Sequence, residues 1–371
     1  MRGVYVIASS GDPNTGGGWN NQQLLKDCGI VPYLLHKNYG FRAVMVGMKV
    51  DDTYPYLEKV PGLELDFLPE DTLQARLDYL DEHAAAIDLL ILYGAYPVYV
   101  PIAARYKKLR SDGKIYLATD MNIPWSDRIP HESPAYKNFL HSCDVIAASC
   151  RATQRFLSAK WSVPVDLIRN GWYNFFGVKF GDVQKENIIL TVGRIGTDQK
   201  RNEDLLEAFA KVADDLPSWN VRLVGGVEES FKPYVEDFFA NHPDLRSRIT
   251  FTGLIEDKIQ LMDEYKRAKI FCLTSRFEGA PNVAAEALFS GDYMITSIVD
   301  AASDLVDNGN CGRIFQIGNV DMLAKTFLAV CNDDKLIAAG GKHAAIYARE
   351  QFDANKIVAR LNYLLYGGDG I

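Results

Sequence analysis

No two of the six cysteines, Cys28, Cys143, Cys150, Cys272, Cys311 and Cys331, form a C-x-x-C pair, so the spacing points to neither a zinc site nor a redox dithiol. Six free thiols in a reducing compartment is the simplest account. The six histidines show no H-E-x-x-H spacing, so no histidine metal site is expected. There is no basic excess. The formal net charge is -8, which argues against a nucleic-acid partner. No run approaches the roughly 18 apolar residues of a spanning helix, and the opening "MRGVYVIASSG" is too short for a signal-peptide core. Internal repeats and low-complexity tracts are also missing. What remains is 371 residues, 48% hydrophobic and 24% charged, a composition expected of a cytoplasmic globular protein with two domains.

Short apolar runs alternate with amphipathic stretches. Residues 4–9, 43–48, 88–93, 114–119 and 144–149 read as buried strands, and segments such as 72–86 between them read as helices. The rhythm pauses over 170–187, rich in glycine, asparagine and aromatics. It resumes with strands at 187–193, 220–226, 248–253, 268–275 and 292–297. Alternating strand and helix predicts parallel sheets with helices on both faces. The expectation is α/β, with two doubly wound Rossmann-like domains and an interdomain cleft. They span 1–174, completed by a C-terminal helix within 353–371, and 175–352. Ile357, Leu361, Leu364 and Leu365 share one face of that helix. Function is expected at the carboxyl ends of the strands.

The most informative stretch is "RFEGAPNVAAEAL", 276–288. Glu278 and Glu286 stand eight positions apart, with a helix opening between them. Pro281 suits the first turn, and Gly279 lets the backbone pass close to a ligand. A helix start offers free N–H groups and a positive dipole end to an anion. Carboxylates on either side suit paired hydroxyls. Together they fit an anion flanked by two polyols, the description of a nucleotide-sugar. Acidic residues at a solvated helix start are the simpler account of the pair alone.

Three other stretches bear on this. In "TVGRIGTDQKRNEDLLEAF", 191–209, Arg194 and Lys200 follow a strand ending at Gly193 and can clamp a diphosphate; a solvated basic loop is the alternative. In 248–265, Gly253, Leu254 and Ile255 form a strand-to-helix turn able to meet a flat base, or an ordinary turn. In "SSGDPNTGGGWNNQQLL", Gly16, Gly17 and Gly18 follow the first strand but match neither G-x-G-x-x-G nor the P-loop. That loop either approaches a phosphate or the acceptor, or is simply flexible.

Together these residues resemble the retaining nucleotide-sugar glycosyltransferases of the GT4 family, which have the GT-B fold. The likeness is strongest over 187–318, in "VGR", "QKRNEDLLEAF", "FTG", "SRFEGAPNVAAEAL" and "DLVDNGNCGRIF". It implies that Glu278 contacts hydroxyls of the transferred sugar and Glu286 binds the ribose. Arg194 and Lys200 hold the diphosphate. Gly279, Ala280, Pro281 and Asn282 line the donor sugar and phosphates. Many relatives carry a histidine in the first domain where this chain reads "LATDMNIPW". Thr119 and Asp120 stand there, and Asp120 is the candidate for a related role. The usual "PNG" at the domain joint reads "RNG", 169–171.

Cations and helix N–H groups aimed at a leaving diphosphate act as electrostatic catalysts. Metal-using transferases usually show D-x-D, and no two aspartates here lie two positions apart. The expectation is therefore a metal-independent, cofactor-free transfer from a UDP-hexose or UDP-N-acetylhexosamine. Retention of configuration is implied by the resemblance alone. The acceptor, a glycan, lipid-linked sugar, protein or small metabolite, is unspecified. Two alternatives stay open, a GT-B phosphorylase or epimerase and a silent glycan-binding paralogue. The basic run 104–114 allows peripheral contact with the inner face of a membrane, although a solvated helix face is simpler. Trp19, Trp125, Tyr96 and Tyr99 can stack on sugar rings or simply pack.

Overall fold

The computed structural model describes residues 1–10, 17–181 and 183–367. Gly16 and the last four positions of the C-terminal segment lie outside them. The chain divides into two units, Met1–Phe175 with Phe352–Ile371, and Phe176–Gln351.

The first unit holds strands β1 (Gly3–Ile7), β2 (Gly18–Trp19), β3 (Arg42–Lys49), β4 (Leu63–Phe67), β5 (Leu89–Tyr93), β6 (Lys114–Ala118), β7 (Val145–Ala148) and β8 (Asp166–Leu167). Their order is β2-β3-β1-β5-β6-β7-β8, with β4 also pairing β3, and the pairings are parallel. Successive side chains explain the two-sided burial. Tyr5 and Ile7 enter one apolar cluster with Leu90 and Leu92, while Val4 and Val6 enter another with Leu89 and Ile91. Strands buried on both faces read as continuous apolar runs, which is why they were visible in the sequence. Each such side chain contributes about 1.5–3 kcal/mol by leaving water.

The second unit holds β9 (Glu186–Val192), β10 (Asn220–Val224), β11 (Ile249–Gly253), β12 (Ala268–Leu273), β13 (Tyr293–Ser297) and β14 (Gly312–Phe315). The order is β11-β10-β9-β12-β13-β14, again parallel. The chain builds outward from β9 through β10 to β11, then returns to lay β12 on the other side of β9. That reversal is the topological switch point, where the helices on either side leave a crevice.

The ten strands expected from sequence all form. The four it missed, β2, β4, β8 and β14, are short or partly exposed. "LELDF" of β4 alternates polar and apolar residues because it is only half-covered. The last helix, Ala354–Tyr366, buries Ile357, Val358, Leu361 and Leu365 in the first unit's core. Gly171 makes this possible, since a Cβ there would come within 2.9 Å of the Ala354 Cα. Trp172 N–H donates to the Phe352 carbonyl at 2.8 Å and closes the join.

Candidate functional site

The second unit's switch point carries a tight pocket lined by Gly193, Arg194, Ile195, Lys200, Thr274 and Ser275 among others. It opens where β9 and β12 end, and backbone contacts fix its shape. Gly193 and Gly225 take φ of +149° and +143°, and a Cβ on Gly225 would stand 1.8 Å from the Gly193 carbonyl oxygen. Only glycine permits that approach. The loop between Gly193 and the helix Asn202–Val212 is then stitched to β12. Thr274 Oγ1 donates to the Lys200 carbonyl at 2.7 Å, and Arg276 N–H donates to the Gln199 carbonyl at 2.7 Å. Asn202 Oδ1 accepts from Gly196 N–H at 2.8 Å.

This stitching brings Lys200 Nζ to 2.5 Å from Glu278 Oε1, across 78 residues of sequence. Ser275 Oγ donates to the same oxygen at 2.8 Å. The two side chains keep only 16% and 11% of their surface exposed, so the pair is shielded without being sealed. Lys200 is thus not the merely solvated cation that a basic loop would hold. Arg194 is exposed, and its guanidinium donates to Gln199 Oε1 at 2.9 Å. Arg201 turns instead to Asp204, at 2.7 Å.

Pro281 takes the N-cap position, one residue before the helix Asn282–Phe289, rather than the first turn itself. Proline offers no side-chain acceptor, so this helix start has no side-chain cap, and of its first turn the Ala284 N–H donates to the Pro281 carbonyl at 3.0 Å. Asn282 Oδ1 is buried there without a partner. Gly279 and Ala280 are half-buried on the approach. Further along, Glu286 Oε2 accepts from the Tyr265 hydroxyl at 2.7 Å. Gly253 takes φ +75° and its carbonyl accepts from Gly225 N–H at 2.9 Å, so the third loop is tied to the first through the glycine pair. Leu254 after it is 70% exposed, an apolar side chain offered to solvent, and Ile255 is half-buried.

The second unit therefore gathers Gly193, Arg194 and Lys200 with Glu278 and Ser275. Sequence reasoning missed Ser275, Thr274 and Gln199, which brace the pair. Ser275 was readable as the hydroxyl three positions before Glu278. Tyr265 gave no sequence signal, being 21 residues from Glu286.

Gly17, Gly18 and Asp120 belong to the first unit. Gly18 pairs with Met48 in the short β2, ahead of the 3-10 turn Asn21–Leu25 and the helix Asp27–Tyr39. Gly17, at φ +72°, has its carbonyl taken by Arg76 at 2.9 Å and Met48 N–H at 3.1 Å. Asp120 stands at φ +36°, unusual for a residue with a side chain. It is open at the surface, yet protein crowds its carboxyl and pushes its pKa up, against a hydrogen bond from Asn170 and the charge of Lys26. Beside it the Thr119 and Ser149 hydroxyls are buried and unpartnered in a pocket they share with Asp120 and Asn170.

Four of the five cations in the basic run are paired. Arg105 meets Asp81 at 2.5 Å, Arg110 meets Asp88 at 2.5 Å, and Lys107 and Lys114 share Asp144. Trp19 and Tyr99 are packing residues. The Trp19 indole donates to the Val46 carbonyl at 3.0 Å, and the Tyr99 hydroxyl to the Tyr93 carbonyl at 3.0 Å. Among the described residues no helix is long and apolar enough to cross a membrane.

The family described as "Glycosyl transferases group 1" matches residues 186–333. N-acetyl-alpha-D-glucosaminyl L-malate synthase of Bacillus anthracis is 23% identical over 188 residues, 51% of this chain and 47% of that protein. The chain thus matches about half the length, or less, of the first curated relatives. Among solved structures, sucrose-phosphate synthase from Thermosynechococcus elongatus superposes with a TM-score of 0.74 at 19% identity, covering 98% of each chain. Anabaena HepE in complex with UDP superposes with a TM-score of 0.73 at 19% identity, covering 97% of this chain and 98% of that one. The chain as a whole has the GT-B fold of these glycosyltransferase structures, and its residues 186–333 match the group 1 glycosyl transferase model.

Proposed function

We propose that this protein is a retaining glycosyltransferase that moves a sugar from a UDP-hexose or UDP-N-acetylhexosamine to a hydroxylated acceptor. The observation that carries the reading is the shielded Lys200–Glu278 pair at the switch-point pocket, beside an uncapped helix start. Breaking the bond between a sugar and a diphosphate leaves negative charge on the phosphate oxygens and positive character on the sugar. Lys200 has three donors, and Glu278 takes one of them. The others serve the departing phosphate, with Arg194 and the N–H groups of the helix Asn282–Phe289. Glu278, held by Lys200 and Ser275, presents its remaining acceptor capacity to sugar hydroxyls. Glu286, further along that helix, accepts from the ribose.

Cations already in place need no reorganisation as charge develops, so they lower the barrier without a metal. Uridine is favoured because HepE, which has the same fold, was solved with UDP. Retention and metal independence rest on the GT4 resemblance and on the missing D-x-D. The acceptor is assigned no further than a hydroxyl-bearing glycan, lipid-linked sugar, protein or small molecule.

The test is calorimetric titration of UDP and GDP, metal chelated, into wild type and Glu286→Ala. UDP is expected to bind wild type and to weaken at least about tenfold in the variant, the loss of a hydrogen bond to a charged group. Failure of both nucleotides to bind, or an unchanged UDP affinity in the variant, sinks the donor-site reading.

A further inference from the structure

Tyr265 lies on the helix Lys258–Arg267, a different element from any that lines the pocket, and it is completely buried. Its hydroxyl donates to Glu286 Oε2 at 2.7 Å. Burial, and then the neighbouring Glu286 carboxylate, holds the phenol well above its ordinary pKa, so it stays protonated and remains a donor. We infer that Tyr265 is a positioning residue: it fixes the Glu286 carboxylate in the one orientation that grips a vicinal diol on the nucleotide. This rests on the reading of Glu286 as the ribose acceptor.

The phenol is itself held in place. Lys185 Nζ donates to the Ala268 carbonyl at 2.7 Å and to Asp292 Oδ1 at 2.6 Å, with the Tyr265 carbonyl at 3.4 Å. Ala268 follows the Tyr265 helix, and Asp292 follows the helix that carries Glu286. One lysine therefore ties the ends of the two helices together, while the Tyr265 hydroxyl, in the last turn of one, reaches the middle of the other. A glutamate on a helix surface has three rotatable side-chain bonds and loses entropy when a ligand must order it. Here that ordering is already present before the ligand arrives, and preorganisation of this kind shows up as affinity. Two parallel hydrogen bonds from adjacent hydroxyls need the carboxylate plane set correctly, whereas a single contact tolerates rotation.

The effect should be confined to ligands that present the diol. UDP and 2′,3′-dideoxyuridine diphosphate are titrated into wild type, Tyr265→Phe, Glu286→Gln and the double variant of the full chain, each checked by a thermal melt. Tyr265→Phe is expected to weaken UDP about tenfold, the scale of one charge-assisted hydrogen bond. It should leave the dideoxy ligand unchanged and add nothing on top of Glu286→Gln. Taking the ratio of two ligands on one protein cancels any general loss of fold, which would weaken both alike. If Glu286→Gln weakens UDP while Tyr265→Phe weakens both ligands equally, or neither, the positioning role is wrong and the ribose reading stands. If Glu286→Gln itself leaves UDP unaffected, the ribose reading fails first and takes this role with it.

Discussion

Arg76 and Lys200 are cations drawn in from the surface, one in each unit, and their surroundings are opposite. Arg76 is completely buried and donates to the carbonyls of Ala8, Ser9, Gly17 and Thr72, with Asp71 at 2.8 Å. Its partners are mostly backbone, and they gather both flanks of the loop after β1. Lys200 is 16% exposed, pairs with one carboxylate, and lines a pocket. In the second unit the corresponding turn after β9 is held by the approach of Gly225 to the Gly193 carbonyl, which involves no charge. Glycines doing the structural part leave the cation there, among the described residues, without a backbone carbonyl to hold. A buried charge with backbone partners is scaffold, whereas Lys200, with a single carboxylate partner at a pocket, keeps donors to spare.

Substitution should separate the two roles. Arg76→Met leaves several buried carbonyls without a donor, and breaking a buried charged network costs about 3–5 kcal/mol. Urea unfolding followed through the first unit is expected to show that loss, and a change under about 1 kcal/mol would remove the scaffold role. Lys200→Met is expected to lower turnover of the donor sugar by about 10²–10³-fold, the scale of one preorganised donor to a developing anion. Its unfolding midpoint should move far less than that of Arg76→Met, because Ser275 still donates to Glu278. Wild-type turnover in Lys200→Met would erase the contrast.

The same contrast explains what could be read in advance. The strands of both units were visible because each is buried on two faces, as in "VYVIA" and "NIILTV". The second unit's candidate site was legible as a cluster because Glu278, Gly279, Pro281 and Asn282 are contiguous around one helix start. Arg194 and Lys200 likewise share one loop. The pairing of Lys200 with Glu278 was not readable, since it depends on where β12 returns beside β9. Arg76 was invisible for a sharper reason. A lone arginine in "TLQARLDYL" looks like a solvated helix residue, and beyond its neighbours Thr72 and Asp71 its partners are the Ala8, Ser9 and Gly17 carbonyls, some sixty residues away. The basic run 104–114 shows the converse, because the carboxylates that pair with it, Asp81, Asp88 and Asp144, lie on other elements. Asp120 likewise needed Asn170, fifty positions on, before its environment could be described.

A smaller effect sharpens the comparison through pH. Burial pushes the Asp292 carboxyl up to about 7, and the opposing charge of Lys185 pulls it back only in part. An unfolded aspartate titrates near 3.9, so between there and about 7 the native state holds a proton that the unfolded chain has lost. The stability this group contributes is full below about pH 4 and is lost as pH rises through 7, by at most ~1.4 kcal/mol per pH unit within the window. Unfolding of wild type and Asp292→Asn at pH 5.0 and 6.5, both about mid-window by that linkage, isolates it. Wild type is expected to lose stability relative to the asparagine variant as pH rises, in the second unit's transition and not the first's. A difference between the two proteins that is constant with pH would mean that Lys185 keeps Asp292 ionised. The second unit would then carry a fixed buried ion pair, and its inner charge would be as much scaffold as Arg76.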